Sequence, residues 1–128
     1  MKDFTLDSSI KYVTIWLHIM NANSPYKAIA DHTRRQILDL LRHENLTAGV
    51  IAERFRKKPL SRPAVSKHLR ILRQSRLVLV RKNGRERVYA LNAEPLREVD
   101  LWLNEYEAFW DRQLEAFKNY VESSPKKE

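Results

Sequence analysis

Long donor side chains recur at helical spacing between residues 61 and 73, where the sequence reads Arg62, Ser66, Lys67, Arg70 and Arg73. An arginine in such a row can donate two hydrogen bonds to guanine O6 and N7, and a serine hydroxyl can reach a base edge or a phosphate. The lysine and the later arginines suit phosphates, which orient a protein on a duplex without reading its sequence. The opposite face carries Val65, Leu69 and Leu72. The pattern predicts a helix with a packed back and a front for nucleic acid, although a solvated amphipathic helix has the same pattern.

The net charge of +8 is concentrated in the middle of the chain. Residues 34–87 contain 16 Lys/Arg and 4 Asp/Glu, whereas residues 88–128 contain 5 and 9, and residues 1–33 contain 3 and 3. A basic segment between neutral and acidic ones indicates a surface that faces a polyanion, in preference to an evenly solvated surface.

Three hydroxyl residues precede apolar stripes and predict helix starts. Thr33 and Gln36 match a capping box, in which the hydroxyl accepts from an unpaired backbone amide and the glutamine bonds back to the cap. Thr47 and Ser61 precede two further helices, and Pro63 falls in a first turn, where its missing amide hydrogen costs little. Two short helices joined by a tight connection predict a helix-turn-helix.

After about residue 75 the apolar period changes from helical to extended. Two β-rich runs flank Asn83-Gly84, a strong hairpin signal because both turn residues tolerate positive φ. A two-residue loop here predicts Lys82 opposite Arg85 and Arg81 opposite Glu86. We expect DNA contacts at the cationic tip, from Lys82, Asn83, Arg85 and Arg87. Together the elements predict a mainly α fold with a small β-hairpin wing, a winged helix-turn-helix.

A long helix is predicted to begin at Glu94-Pro95, with the proline in its first turn and apolar residues at steps of three and four over roughly 25 residues. Its aromatic residues extend over two edges, more surface than one small domain can cover. A large exposed apolar patch usually marks an interface, and twofold self-association is the commonest solution. We therefore expect a homodimer with an interface at Leu103, Tyr106, Phe109, Trp110, Leu114, Phe117 and, near the N-terminus, Leu17.

These elements divide the 128 residues into four segments. We expect an N-terminal extension with a helical apolar stripe over residues 1–23, a winged-helix domain over 24–93, a dimerisation helix over 94–122 and a disordered tail over 123–128. An alternative is that the natural chain begins at Met20. The apolar stretch at residues 12–20 is too short and too polar to span a bilayer, so we expect a cytoplasmic protein with no membrane partner.

Three segments resemble the ArsR-type winged-helix regulators: Pro25–Leu41, Leu46–Phe55 and Ser61–Leu72. More narrowly, the aromatic residues of Leu101–Trp110 resemble the cysteine-free branch of that family. The resemblance covers about residues 22–122 and implies a homodimer, joined largely through its first and last helices, that represses promoters. By motif position it implies DNA contact at Arg62, Pro63, Ser66 and Lys67 and near Asn83–Arg87. With the spacing argument, the contact candidates on the helix are Ser61, Arg62, Pro63, Ser66, Lys67, Arg70 and Arg73.

Three features depart from the family pattern. His32 stands where proline is common, and Val50 stands where glutamate is frequent, which removes a capping box. The linker before Ser61 is longer than usual and contains Lys57 and Lys58. Two interpretations of it stay open: these lysines lie along a DNA backbone, or the insertion is inert surface.

Metal sensing, known in ArsR-type regulators, requires Cys, His or carboxylate ligands that converge on one ion. The chain has no cysteine, and its histidines are scattered at His18, His32, His43 and His68. We therefore expect no metal and no cofactor, and no phosphate loop, nucleophile motif or carboxylate pair predicts an enzyme. Two alternatives stay open: a winged helix that contacts protein or RNA, and a histidine-based metal-responsive repressor. The sequence does not identify the operator, the effector, or activation as against repression.

Overall fold

The computed structural model describes Val13 and residues 23–55 and 60–125. The chain divides into two compact units between Leu96 and Arg97. In chain order, the described elements of the first unit are α1 (Pro25–Ile29), α2 (His32–Leu41), β1 (Leu46–Thr47), α3 (Ala48–Arg54), α4 (Arg62–Gln74), β2 (Val78–Asn83) and β3 (Glu86–Leu91). The long helix α5 (Leu96–Ser123) begins at the last residue of the first unit and makes up nearly all of the described part of the second.

One hydrophobic core joins the helices and the sheet of the first unit. Its buried members are Ala28, Ile37, Leu38, Leu41, Leu46, Ile51, Val65, Leu69, Leu72, Leu77, Val78 and Tyr89. The three predicted back residues of α4 are at most 1% exposed, which confirms the helical spacing read from the sequence. Burying an aliphatic side chain of this size contributes about 1.5–3 kcal/mol, so the core fixes which face of α4 points outward.

Hydroxyl caps start α3 and α4 as predicted. Thr47 Oγ1 accepts a hydrogen bond from the Val50 amide at 3.3 Å, and Ser61 Oγ accepts from the Ala64 amide at 3.2 Å. Pro63 lies in the first turn of α4, where no helical carbonyl requires its missing N–H.

The start of α2 differs from the prediction. Asp31, and not Thr33, is the N-cap: its carboxylate accepts from the Arg34 amide at 3.0 Å, and the helix begins at His32. The capping box expected at Thr33 is therefore wrong. A charged acceptor makes a stronger bond to a backbone amide than a neutral hydroxyl does.

The predicted hairpin forms between β2 and β3, but its register differs. The turn residues are Gly84 and Arg85, and Asn83 pairs with Glu86, so the expected Asn83-Gly84 loop is wrong. Gly84 has φ 66° whereas Arg85 does not have positive φ. These signs match a type II′ turn, which requires glycine at its first central position.

Side-chain burial explains the observed register. Val80 lies opposite the buried Tyr89, whereas the predicted register would have placed it opposite Arg87 and lost an apolar cross-strand pair. The pairs that replace the predicted ones are Lys82–Arg87 and Arg81–Val88. A short strand not predicted from the sequence, β1, pairs with β3 and gives the antiparallel order β1-β3-β2.

Candidate nucleic-acid interface

Helix α4 presents one exposed face of donor side chains. Arg62, Ser66, Lys67, Arg70 and Arg73 are all exposed, while the back of the same helix is in the core. Ser61 and Pro63 are exposed at its amino end, and the Ser61 hydroxyl already serves as the helix cap. The structure therefore brings the predicted helix residues to one surface.

The tip of the wing is a second cationic surface. Lys82, Asn83, Arg85 and Arg87 are exposed, and Lys82 lies directly opposite Arg87 in the sheet. Like charges in a directly opposed cross-strand pair are destabilising. An anion that contacts both cations would relieve that repulsion, which is the chemistry of a phosphate site.

The arginines of this unit fall into two groups by their hydrogen bonds. Arg35 donates to the Ile29 carbonyl at 2.8 Å, and Arg54 forms an ion pair with Glu44 at 2.7 Å. By contrast, within residues 23–55 and 60–125 no acceptor is found for the side chains of the cations of α4 and the wing tip: Arg62, Lys67, Arg70, Arg73, Lys82, Arg85 and Arg87. Their donors remain available to an external anion.

A polar cluster behind α4 connects it to α1 and α2. Arg34 donates to the carbonyls of Ala28 at 2.6 Å and Lys27 at 3.2 Å, and its Nη1 lies 3.4 Å from Nδ1 of His68 on α4. Asp31 Oδ2 lies 4.0 Å from the same ring nitrogen. The cluster fixes the position of α4 relative to α1 and α2, and sequence reasoning missed Arg34 and Asp31 in this role.

Charge and burial perturb two groups of the cluster. Burial lowers the pKa of His68, the charges of Arg34 and Lys67 lower it further, and Asp31 opposes them. Burial raises the pKa of Asp31, but the hydrogen bond from the Arg34 amide and the nearby cations outweigh burial and lower it overall. His68 in its neutral form accepts from Arg34 through Nδ1, so its role here is structural.

Helix α5 carries the predicted interface residues with their side chains largely exposed in the single chain. Trp110 is 46% exposed and Phe117 65%. Within the helix, Tyr106 packs edge-on against Trp102 at 5.4 Å between ring centroids and stacks with Trp110 at 6.2 Å. Dimerisation through this face stays a prediction.

Several expected contacts lie outside the described residues: Lys57, Lys58 and Leu17. Within the described ranges, no three His, Asp or Glu side chains come close enough together to hold a metal ion. In the same ranges, no helix is long and apolar enough to cross a membrane.

Comparison with known proteins gives consistent matches to transcriptional regulators. A helix-turn-helix domain family matches residues 29–81. The transcriptional repressor SdpR of Bacillus subtilis is 42% identical over 81 residues, which cover 63% of this chain and 87% of that protein. The HTH-type regulator Rv2034 of Mycobacterium tuberculosis is 39% identical over 98 residues, with coverages of 77% and 86%.

A solved structure extends the likeness to the fold. An ArsR-like transcriptional regulator from Rhodococcus sp. RHA1 matches with a TM-score of 0.65 and 34% identity, over 88% of this chain and 98% of that one. This chain belongs to the ArsR-type family of winged helix-turn-helix regulators and is a DNA-binding transcriptional regulator.

Proposed function

We propose that this chain binds a double-stranded operator as a homodimer and represses transcription by blocking promoter access. The observation that carries the proposal is the group of exposed cations, without an acceptor in the described chain, on α4 and the wing tip. Unpaired exposed cations on two adjacent structural elements are suited to the phosphates of a duplex. The name of the relative SdpR supports repression in preference to activation.

The two ends of α4 have different roles in this proposal. Arg62 and Ser66 lie in its first turns, the part of a recognition helix that reaches base edges in the major groove. Lys67, Arg70 and Arg73 contact phosphates, as do Lys82, Arg85 and Arg87 of the wing. A twofold dimer would place two α4 helices about 34 Å apart, in successive major grooves. Such a regulator acts at the chromosome, and we propose a cytoplasmic location for it.

Selection from a randomised duplex pool tests this proposal and supplies the operator for later measurements. Binding to the enriched sequence should weaken with salt at a log–log slope near −7, if the dimer neutralises about eight phosphates. Arg62→Ala should lower operator affinity by about 1–3 kcal/mol and relax preference at one base position. Lys67→Ala should weaken specific and random duplexes alike and reduce the slope by about two for a dimer.

The controls test whether binding depends on the cations of α4 and the wing, or only on the total positive charge of the protein. Arg42→Ala removes an exposed cation from the same unit outside α4 and the wing, and it should reduce the slope less than Lys67→Ala does. RNA of the enriched sequence should bind more weakly than the DNA duplex. A chain that enriches no sequence, or that prefers the RNA, would contradict the proposal.

A further inference from the structure

Gly49 stands in the first turn of α3, where the backbone does not require glycine. The residue is helical and does not have positive φ. Glycine inside a helix is less stable than alanine because it loses more conformational freedom on folding. The surroundings of Gly49 offer a reason for the absence of a side chain.

The space beside Gly49 is occupied by the guanidinium of Arg62. A methyl group on Gly49 would lie 2.8 Å from Nη2 of Arg62, 3.4 Å from Cζ and 4.0 Å from Nη1, and among the described residues these are its nearest atoms outside its chain neighbours and its own helix backbone. The first of these distances is too short for real atoms, so the guanidinium, which is the far end of a flexible and exposed side chain, would move to another orientation at little cost to the fold. Glycine at this position lets the planar end of Arg62 lie against α3.

We infer that Gly49 is a positioning residue of the DNA interface, which holds the Arg62 guanidinium in the orientation in which it contacts DNA. The inference rests on the proposed function. Arg62 is exposed and makes no side-chain hydrogen bond in the described chain, so its contact with Gly49 on α3 is what favours this orientation while its donors stay unpaired. Ordering a long side chain before binding reduces the entropy lost when the complex forms.

The surface around this contact is open to a ligand. Gly49 and Arg62 line a groove of about 470 Å³ between α3 and the start of α4, together with Thr47, Val50, Ala52 and Glu53. A duplex that approaches the front of α4 therefore meets the guanidinium at the edge of this groove. Displacing the guanidinium would move its donors without changing the charge of the protein.

The test is Gly49→Ala in the full chain, measured on the selected operator. Thermal unfolding should occur at the same temperature or higher, because alanine favours the helix. Operator affinity should fall at least about threefold, and by no more than the 5- to 150-fold loss expected for Arg62→Ala. Discrimination should relax at the base position that Arg62→Ala also affects.

Double variants identify Arg62 as the group through which Gly49 acts. In an Arg62→Ala background, Gly49→Ala should cause no further loss, whereas with Lys67→Ala the two losses should multiply. If Gly49→Ala alone binds the operator as tightly as the parent chain or more tightly, the guanidinium does not contact DNA in this orientation. An equal loss with and without Arg62 would show that DNA approaches Gly49 itself, and either result overturns the inference. A parent chain that binds no operator would overturn the proposed function and this inference with it.

Discussion

His68 faces inward from α4, on the side away from the proposed DNA contacts. Its ring is half-buried, near Arg34 on α2 and Asp31 at the N-cap of α2, and beside Lys67 on its own helix. Burial together with the two cations lowers its pKa below the ordinary 6.5 despite the nearby carboxylate. The folded chain therefore favours the neutral ring.

The lowered pKa of His68 predicts a loss of stability in mild acid. Below pH 6.5 the imidazole of His68 binds a proton in the unfolded chain but stays neutral in the folded chain. The free energy of unfolding therefore falls with pH until the folded His68 also becomes protonated. Urea unfolding at neutral and mildly acidic pH measures this fall, and His68→Gln should reduce it. His43→Gln, which replaces an exposed histidine, should retain it. The pKa of Asp31 is lowered by the Arg34 amide and the nearby cations despite its burial, so its carboxylate stays ionised throughout this mildly acidic window. Equal pH dependence in the parent chain and His68→Gln would refute this assignment.

Single residues were predictable where helical period decides their environment. The period placed Val65, Leu69 and Leu72 in the core and therefore placed the donors of α4 at the surface. It could not choose between Asp31 and Thr33 as the helix cap, since both residue types cap helices. The helical period also could not predict that Arg62 lies beside Gly49, because that contact depends on how α3 packs against α4.

At the scale of elements, the end of α4 determines where the wing begins. The amide of Leu77 donates to the Leu72 carbonyl at 3.0 Å and that of Arg76 donates to the Arg73 carbonyl at 2.9 Å, the two bonds of a Schellman motif. Arg76 has φ 63° at the position where such motifs favour glycine. Asn92 Nδ2 also donates to the Arg76 carbonyl at 2.7 Å, which links this turn to the end of β3.

The left-handed backbone conformation of Arg76 predicts that glycine is more stable than alanine at this position. A residue with Cβ pays about 1–2 kcal/mol in this region, whereas glycine does not. Arg76→Gly should therefore be more stable than Arg76→Ala by about 1 kcal/mol in chemical denaturation. The alanine variant removes the same charge and keeps the strain, so it serves as the control. Equal stability of the two variants would show that the backbone relaxes out of this conformation.

The wing shows what a turn signal can and cannot determine. Asn83-Gly84 correctly predicted a hairpin, because Gly84 accepts the positive φ that the turn requires. The register depended on Val80 and Tyr89, which pair over the core, and the local turn pattern contains no information about that contact. Strand β1 has two residues, too few for an alternating pattern to be recognised.

At the scale of the whole molecule, the two units differ in charge and in exposed apolar surface. The cations are concentrated in the winged-helix unit, whereas α5 is acidic and carries large exposed apolar side chains such as Trp110 and Phe117. A second copy is the partner we propose for that apolar face, and two linked recognition helices bind a twofold operator far more tightly than one. The acidic character of α5 disfavours DNA as its partner.

A carboxylate placed in the apolar face of α5 should therefore separate the protomers. Sedimentation at micromolar concentration should give twice 15.2 kDa for the parent chain, and the monomer mass or aggregates for Trp110→Glu and Phe117→Glu. Operator affinity of these variants should fall at least about 100-fold, since each recognition helix then binds its half-site alone. Ala108→Glu is the matched control, because at about 100° per residue Ala108 lies on the opposite side of α5 and should leave the dimer intact. A parent chain that sediments as a monomer and still binds its operator tightly would refute the dimer.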